Sequence, residues 1–256
     1  MVAINKTRSE TRLAAGVRAG VRLYCFPYAG GTASLYSGWS RLLPHSVEAI
    51  PIELPGRGKL IGEAPLRRVA DLVDVLVERI ASRSDAPFVL FGHSMGAIIA
   101  FEIARTLRRR RRPLPEHIFV SGRRAPQTPP TDELTYNLSE PDFIATLQRL
   151  NGTPKEVLEH SELMELMLPI LRADFELVET YEYRDEAPLD CPITAFGGFE
   201  DTDVTRDLLK PWGDLTISRF ELHMLPGDHF FVRYSNREML NLMGQELAQI
   251  TTLAHR

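Results

Sequence analysis

One junction constrains this chain more than any other stretch. Pro87-Phe88-Val89-Leu90 is a short apolar run that predicts a buried strand, and Met95, Ile99, Ile103 and Leu107 recur at helical spacing just after it. Phe91-Gly92-His93-Ser94-Met95-Gly96 must therefore carry the chain from strand to helix within a few residues. Glycines two before and two after the serine suit such a turn, because a Cβ there would strike the neighbouring strand or helix. The serine at the tip is then strained, with its hydroxyl exposed and the amide of Met95 beside it. The five-residue pattern alone is common, and its bland reading is a glycine-rich turn with an incidental serine. The flanking strand and helix favour an activated hydroxyl.

The rest of the chain is consistent with a protein built to hold such a group. A length of 256 residues, 44% hydrophobic and 25% charged, suits one domain with an inserted cap. A net charge of -4 gives no reason to expect nucleic acid or an anionic membrane as a partner. Cys25 and Cys191 fall in predicted strands and read as small buried apolar residues, not a disulfide framework, which points to a reducing compartment. Leu13-Ala14-Ala15-Gly16-Val17 is too short for a secretory signal and no stretch approaches a membrane span, so the expected location is cytoplasmic.

Residues 1–20 show no period and read as a flexible arm. Val21 to Phe26 is the first strand, ending in Pro27-Tyr28-Ala29-Gly30-Gly31-Thr32; Val47 to Leu54 is the next, ending in Pro55-Gly56-Arg57-Gly58. Leu66, Val69, Val73, Leu76 and Ile80 predict a helix over one sheet face. Alternating strands and helices predict parallel crossovers and a sheet covered on both sides. Arg108 to Arg112 read as a solvated helix end favoured by the helix dipole, with docking of an acidic partner as the alternative. His117 to Ser121 is a further buried strand.

From 127 to 185 the sheet pattern stops. Ser139 reads as a cap with Pro141 in the first turn, Phe143, Leu147 and Leu150 give a helical period, and Pro154 opens a short helix. Ser161 to Tyr183 is apolar on nearly every side, with Pro169 as a kink or break, so cover on more than one side is expected. This segment reads as a helical lid, some of its residues lining an acyl channel, inserted into a core of 21–126 and 186–256. Sheet resumes at Pro192 to Phe196, followed by a short helix at Leu208 to Trp212 and a strand at Ile217 to His223. A last helix opens with the capping box Ser235-x-x-Glu238 and turns Leu240, Met243, Leu247 and Ile250 inward.

A serine hydroxyl at neutral pH needs a base within hydrogen-bond reach and an acid to orient that base. Of seven histidines, only His229 follows a late strand in a glycine-containing loop. The acid is one of Glu200, Asp201, Asp203 or Asp228; Asp201 is preferred from its place where the chain leaves the strand, and Asp203 is second. In an α/β-hydrolase arrangement the turn after the first strand supplies a second anion-stabilising amide, here assigned to Ala29, beside that of Met95.

Five motifs together resemble one family. Phe26-Pro27-Tyr28-Ala29-Gly30-Gly31, Gly92-His93-Ser94-Met95-Gly96, Ser121-Gly122-Arg123-Arg124-Ala125-Pro126, Leu189-Asp190-Cys191-Pro192-Ile193 and Gly227-Asp228-His229-Phe230-Phe231 are similar, in order, to those of the stand-alone type II thioesterases of polyketide and nonribosomal peptide synthases. The resemblance implies an α/β-hydrolase fold, a mostly parallel sheet with an inserted helical lid. It implies hydrolysis of acyl groups from the phosphopantetheine arm of acyl or peptidyl carrier proteins, to clear stalled or misprimed units. It supports Ser94, Asp201 and His229 as a triad and the amides of Ala29 and Met95 as an oxyanion hole. Such a mechanism needs no metal or redox cofactor, the pantetheine arriving with the substrate, and a monomer is the plain default. Phe199-Glu200 before Asp201, and Tyr28, depart from the family's usual residues. An oxygen-ester carboxylesterase or lipase, an acyltransferase and a non-catalytic carrier-docking module are the rival readings.

Overall fold

The computed structural model describes residues 20–82, 86–129, 133–153 and 155–254. Residues 1–19 of the expected arm, Pro154 and His255 lie outside the described residues, and Gly20 is buried where the first strand begins.

Six strands form one sheet: β1 Val21–Phe26, β2 Val47–Pro51, β3 Phe88–His93, β4 Ile118–Ser121, β5 Ile193–Gly198 and β6 Phe220–Leu225. All five pairings are parallel and the spatial order is β2-β1-β3-β4-β5-β6. The order reverses between β1 and β3, and a crevice at the carboxyl ends of strands at such a switch point is where open α/β sheets place their ligands. The Pro27–Gly31 turn and Ser94 are the segments that leave β1 and β3 there.

Side-chain alternation explains how both faces are covered. Val21, Leu23 and Cys25 of β1, with Val89 and Phe91 of β3, join a cluster closed by Met239, Leu240, Met243 and Leu247 of helix α8, Asn236–Ala254. Tyr24, Phe26, Phe88 and Leu90 face the other way, against α1 (Val69–Ala81) and α2 (Met95–Arg109). Cys25 and Cys191 are free, buried, and in different clusters, on opposite sides of the sheet.

Between β4 and β5 the chain makes α3 (Glu140–Leu150), α4 (Lys155–Leu158) and α5 (Ser161–Glu179). Ser139 caps α3, its hydroxyl accepting the Asp142 amide. Phe143, Leu147, Met164, Leu168 and Leu171 pack together as a small separate core. The helix α5 runs through Pro169, so that residue does not break it. Cover comes from more than one side, as expected: Met164, Leu168 and Leu171 join the small core and Leu177 the main one, while Leu163 and Leu166 are 41% and 62% exposed.

Other boundaries move for tertiary reasons. β5 continues through Gly197 and Gly198 because β6 pairs with both; a Cβ at Gly197 would come within 2.5 Å of Leu209 Cδ1. β6 begins at Phe220, since Thr216 and Ile217 pair separately with Leu189. The short helix after β5 is α6 (Arg206–Leu209), followed by a 3-10 segment to Leu215. Helix α7 (Phe231–Tyr234) precedes α8, and the Ser235 hydroxyl donates to the Pro226 carbonyl at 2.6 Å in place of the expected capping box.

The arginine run is a laced helix end. Arg108 and Arg109 bind Glu186, where the chain returns from the insertion, while Arg110 bridges Asp74 and Glu78 of α1.

Candidate active site

Sharp turning at the end of β3 is enforced by contacts that only glycine permits. A Cβ on Gly92 would lie 1.9 Å from the Gly96 carbonyl oxygen, and one on Gly96 would lie 2.1 Å from the carbonyl oxygen of Phe26. Between them Ser94 has φ 52° and ψ -110°, a conformation that a side chain adopts only under constraint, and its amide donates to the Ser121 carbonyl at 2.7 Å. Ser94 is half-buried at the N-terminus of α2, where the first amides of the helix lack intrahelical partners.

His93 turns inward. Its Nδ1 is 2.9 Å from the Ser121 Oγ, and the ring lies against Tyr28, His229 and Phe231. Gly122, at φ +57°, leaves room for it: a Cβ there would be 2.7 Å from His93 Cε1. Burial, reinforced by the adjacent His229, holds the pKa of His93 well below the ordinary histidine value, so it is a neutral packing group.

Two late loops meet beside this turn. Gly198 ends β5 so close to the next loop that a Cβ would be 2.4 Å from the Gly227 carbonyl oxygen and 2.6 Å from that of Asp228. This approach brings His229 Nδ1 to 2.8 Å from Asp201 Oδ2, with the aspartate side chain wholly buried. The other carboxylate oxygen accepts the amides of Asp203 and Val204 at 3.0 and 2.9 Å. Of the four candidate acids, Asp201 is thus the one bonded to the imidazole. Asp203 contributes its backbone amide, and Asp228 accepts the Phe230 amide at 2.8 Å.

Ser94 and His229 open onto one cavity of about 280 Å³ that Ala29 and Tyr28 also line. Its wall is mostly apolar, formed by Ile98 of α2 and by Leu147, Leu171, Phe175 and Val178 of the insertion. A second cavity of about 200 Å³ borders it, sharing Tyr28, Ala29 and Leu171 and reaching Arg233. Arg233 donates through Nε to the Tyr28 hydroxyl at 3.1 Å, which anchors the unusual Tyr28 at the edge between the two. Phe199 is 68% exposed and plays no part in the cavity wall.

One buried ion pair escaped the sequence reading. Asp174 of α5 and Arg57 of the loop after β2 form a two-pronged contact at 2.6 and 2.7 Å, both nearly inaccessible. The signal was present but faint: an aspartate on the apolar face of α5, and an arginine flanked by two glycines.

A parallel sheet with this switch-point crevice, a serine on a glycine-flanked strand-to-helix turn, and a buried carboxylate behind a histidine define an α/β-hydrolase. The chain belongs to the thioesterase family, hydrolases acting on thioesters: the thioesterase domain model matches residues 21–243. It is 44% identical over 229 residues to the gramicidin S biosynthesis protein GrsT of Aneurinibacillus migulanus, covering 90% of each chain. It is 40% identical over 232 residues to the linear gramicidin dehydrogenase LgrE of Brevibacillus parabrevis, covering 90% of this chain and 88% of that one. Among solved structures, the RedJ thioesterase from the prodiginine biosynthetic pathway in Streptomyces coelicolor superposes with a TM-score of 0.83 at 38% identity, over 89% of this chain and 86% of that one.

Proposed function

We propose that this protein is an editing thioesterase: it removes acyl groups from the phosphopantetheine arm of acyl or peptidyl carrier proteins in a modular synthase, through an acyl-Ser94 intermediate. The observation that carries the reading is the 2.8 Å contact of His229 with buried Asp201, at a cavity that Ser94 also lines. In this mechanism His229 takes the Ser94 proton as the hydroxyl attacks the thioester carbonyl. The amides of Ala29 and Met95 receive the oxyanion, each lowering the barrier by about 3 kcal/mol, the cost of deleting one such donor elsewhere. The protonated histidine then donates to the departing pantetheine thiol. Water activated by His229 attacks the acyl ester and returns the free hydroxyl. The reaction draws on side chains, backbone amides and water alone.

The carrier-protein substrate is supported by the relatives' names, which place GrsT in gramicidin S biosynthesis and the RedJ thioesterase in the prodiginine pathway. The dehydrogenase name of LgrE describes that protein; no Gly-x-Gly-x-x-Gly nucleotide turn occurs in this sequence. In this reading α3 to α5 act as a lid over the acyl chamber, and the enzyme works as a cytoplasmic monomer. No helix among the described residues is long and apolar enough to cross a membrane.

The test compares kcat/KM for acyl-pantetheine or acyl-carrier thioesters with that for matched oxygen esters. A thioester preference supports the reading. Preference for oxygen esters, or transfer of the acyl group to an alcohol or amine in place of water, would replace it with an esterase or an acyltransferase.

A further inference from the structure

The turn after β1 is held from outside by the insertion. Its closing hydrogen bond runs from the Gly31 amide to the Tyr28 carbonyl at 2.8 Å, and Gly30 has φ +76° while Ala29 is not among the positive-φ residues. These values define a type II turn with Gly30 at its third position. Glycine there is permissive: the Ala29–Gly30 peptide can flip to the type I form with little intrinsic cost, exchanging the places of its N–H and the Ala29 carbonyl.

Asp174 removes that freedom. Its Oδ2 accepts the Gly30 amide at 2.7 Å, so the flipped form would turn the Ala29 carbonyl oxygen onto a buried carboxylate. Arg57 fixes the carboxylate in turn, binding both its oxygens and donating to the Gly31 carbonyl at 3.2 Å. One turn back along α5, Leu171 presses on the same glycine; a Cβ on Gly30 would lie 2.5 Å from its Cδ2. Two residues on one face of α5 therefore grip a single peptide, and the neighbouring corner of that turn is Ala29, whose amide the proposed mechanism uses.

Resting on that mechanism, we propose that Asp174, held by Arg57, is a positioning residue: it anchors the Ala29–Gly30 peptide, and through Ala29 the adjoining Tyr28–Ala29 peptide whose N–H is the oxyanion donor, and so ties the geometry of the oxyanion hole to the seating of α5. With α5 displaced, the turn loses its acceptor and its packing together. Acyl transfer is then slow until the helix returns. Neither residue touches substrate in this account.

The test uses the full chain with Arg57→Met and Asp174→Leu combined. Replacing a buried ion pair by apolar residues of similar size tends to preserve stability, whereas removing one partner strands a charge. Rates are read with whichever ester the wild type turns over, so an oxygen-ester preference overturns the thioesterase reading without affecting this comparison. Loss of a secured oxyanion donor predicts a fall in kcat of about 10- to 100-fold with KM nearly unchanged. Affinity for an acyl trifluoromethyl ketone, which forms a tetrahedral adduct on serine, falls by the same factor, while an amide analogue of the acyl-pantetheine thioester binds as to the wild type. Arg57→Lys, which keeps the charge but loses the fork, moves the same two readouts in the same direction and decides the matter if the double variant does not fold. Wild-type kcat and ketone affinity in a folded variant, or an equal weakening of ketone and amide, would overturn the proposal.

Discussion

His229 and Asp201 are joined through Nδ1 and Oδ2 at 2.8 Å, and the remaining oxygen of Asp201 is occupied by two backbone amides. The carboxylate is therefore fixed before any substrate arrives. It orients the ring so that the opposite nitrogen is the one free to serve a nucleophile.

This separates the two aspartates of the loop. Asp201→Asn disrupts the preferred tautomer and lowers kcat/KM by about 10³- to 10⁴-fold, the scale of such losses in serine triads. Asp203→Asn keeps its amide donation and changes kcat/KM by no more than a few fold. Steady-state kinetics on one thioester substrate distinguishes them, and the reverse ranking would move the acid to Asp203.

The elbow predicts a stability effect independent of chemistry. Gly96→Ala sets a methyl 2.1 Å from the Phe26 carbonyl oxygen, backbone against backbone, so no side-chain rotation relieves it. Overpacking of this kind costs about 1–3 kcal/mol or more. Urea unfolding should show a lower midpoint at unchanged slope; an unaltered midpoint would mean that β1 and α2 are not so closely apposed.

How much of this was legible in sequence depends on the range of the contacts. The Met95-to-Leu107 period and the apolar runs carry their own burial, so the parallel sheet and the helices over it could be read directly. The bond between His229 and Asp201 could be anticipated only as a loop-to-loop convergence; position in sequence favoured Asp201 over Asp203, and it is the contact with His229 that sets the two apart. Gly197 and Gly198 look like a turn by composition, yet close approach of Leu209 and Gly227 makes them strand. Arg57 and Asp174 are 117 positions apart, beyond any local pattern. Ser235-x-x-Glu238 does not form the reciprocal box because the Ser235 amide, which Glu238 would have to bind, already donates to the Phe231 carbonyl at 2.7 Å.

His117 makes the fold sensitive to acid. It is buried on Thr194 and Phe119, and burial, with the Arg219 charge adding to it, pushes its pKa down to about 3. An unfolded chain protonates this ring near pH 6.5. Between these values the unfolded state binds the extra proton, so the contribution is intact above about pH 6.5 and is lost as the pH falls toward 3. His117→Gln should flatten unfolding free energy against pH between about 4.5 and 6 by up to about 1.4 kcal/mol per unit. A slope equal to that of the wild type would show that this ring is protonated in the native protein.

The cysteines give a simple check on burial. Desolvation raises the Cys25 thiol well above its usual value and pushes Cys191 up to about 12. Neither thiol should react with a disulfide reagent in the native protein, and both should react in denaturant. Fast native labelling of either would contradict the packing of its side of the sheet.

The most direct measurement is the initial rate of hydrolysis of an acyl-pantetheine thioester by the wild type and by Ser94→Ala, purified and assayed side by side. The account predicts steady release of pantetheine thiol and free acid by the wild type. It predicts a loss of at least about 10³-fold in the variant, with its unfolding midpoint preserved. Turnover by a folded Ser94→Ala protein at the wild-type rate would contradict it.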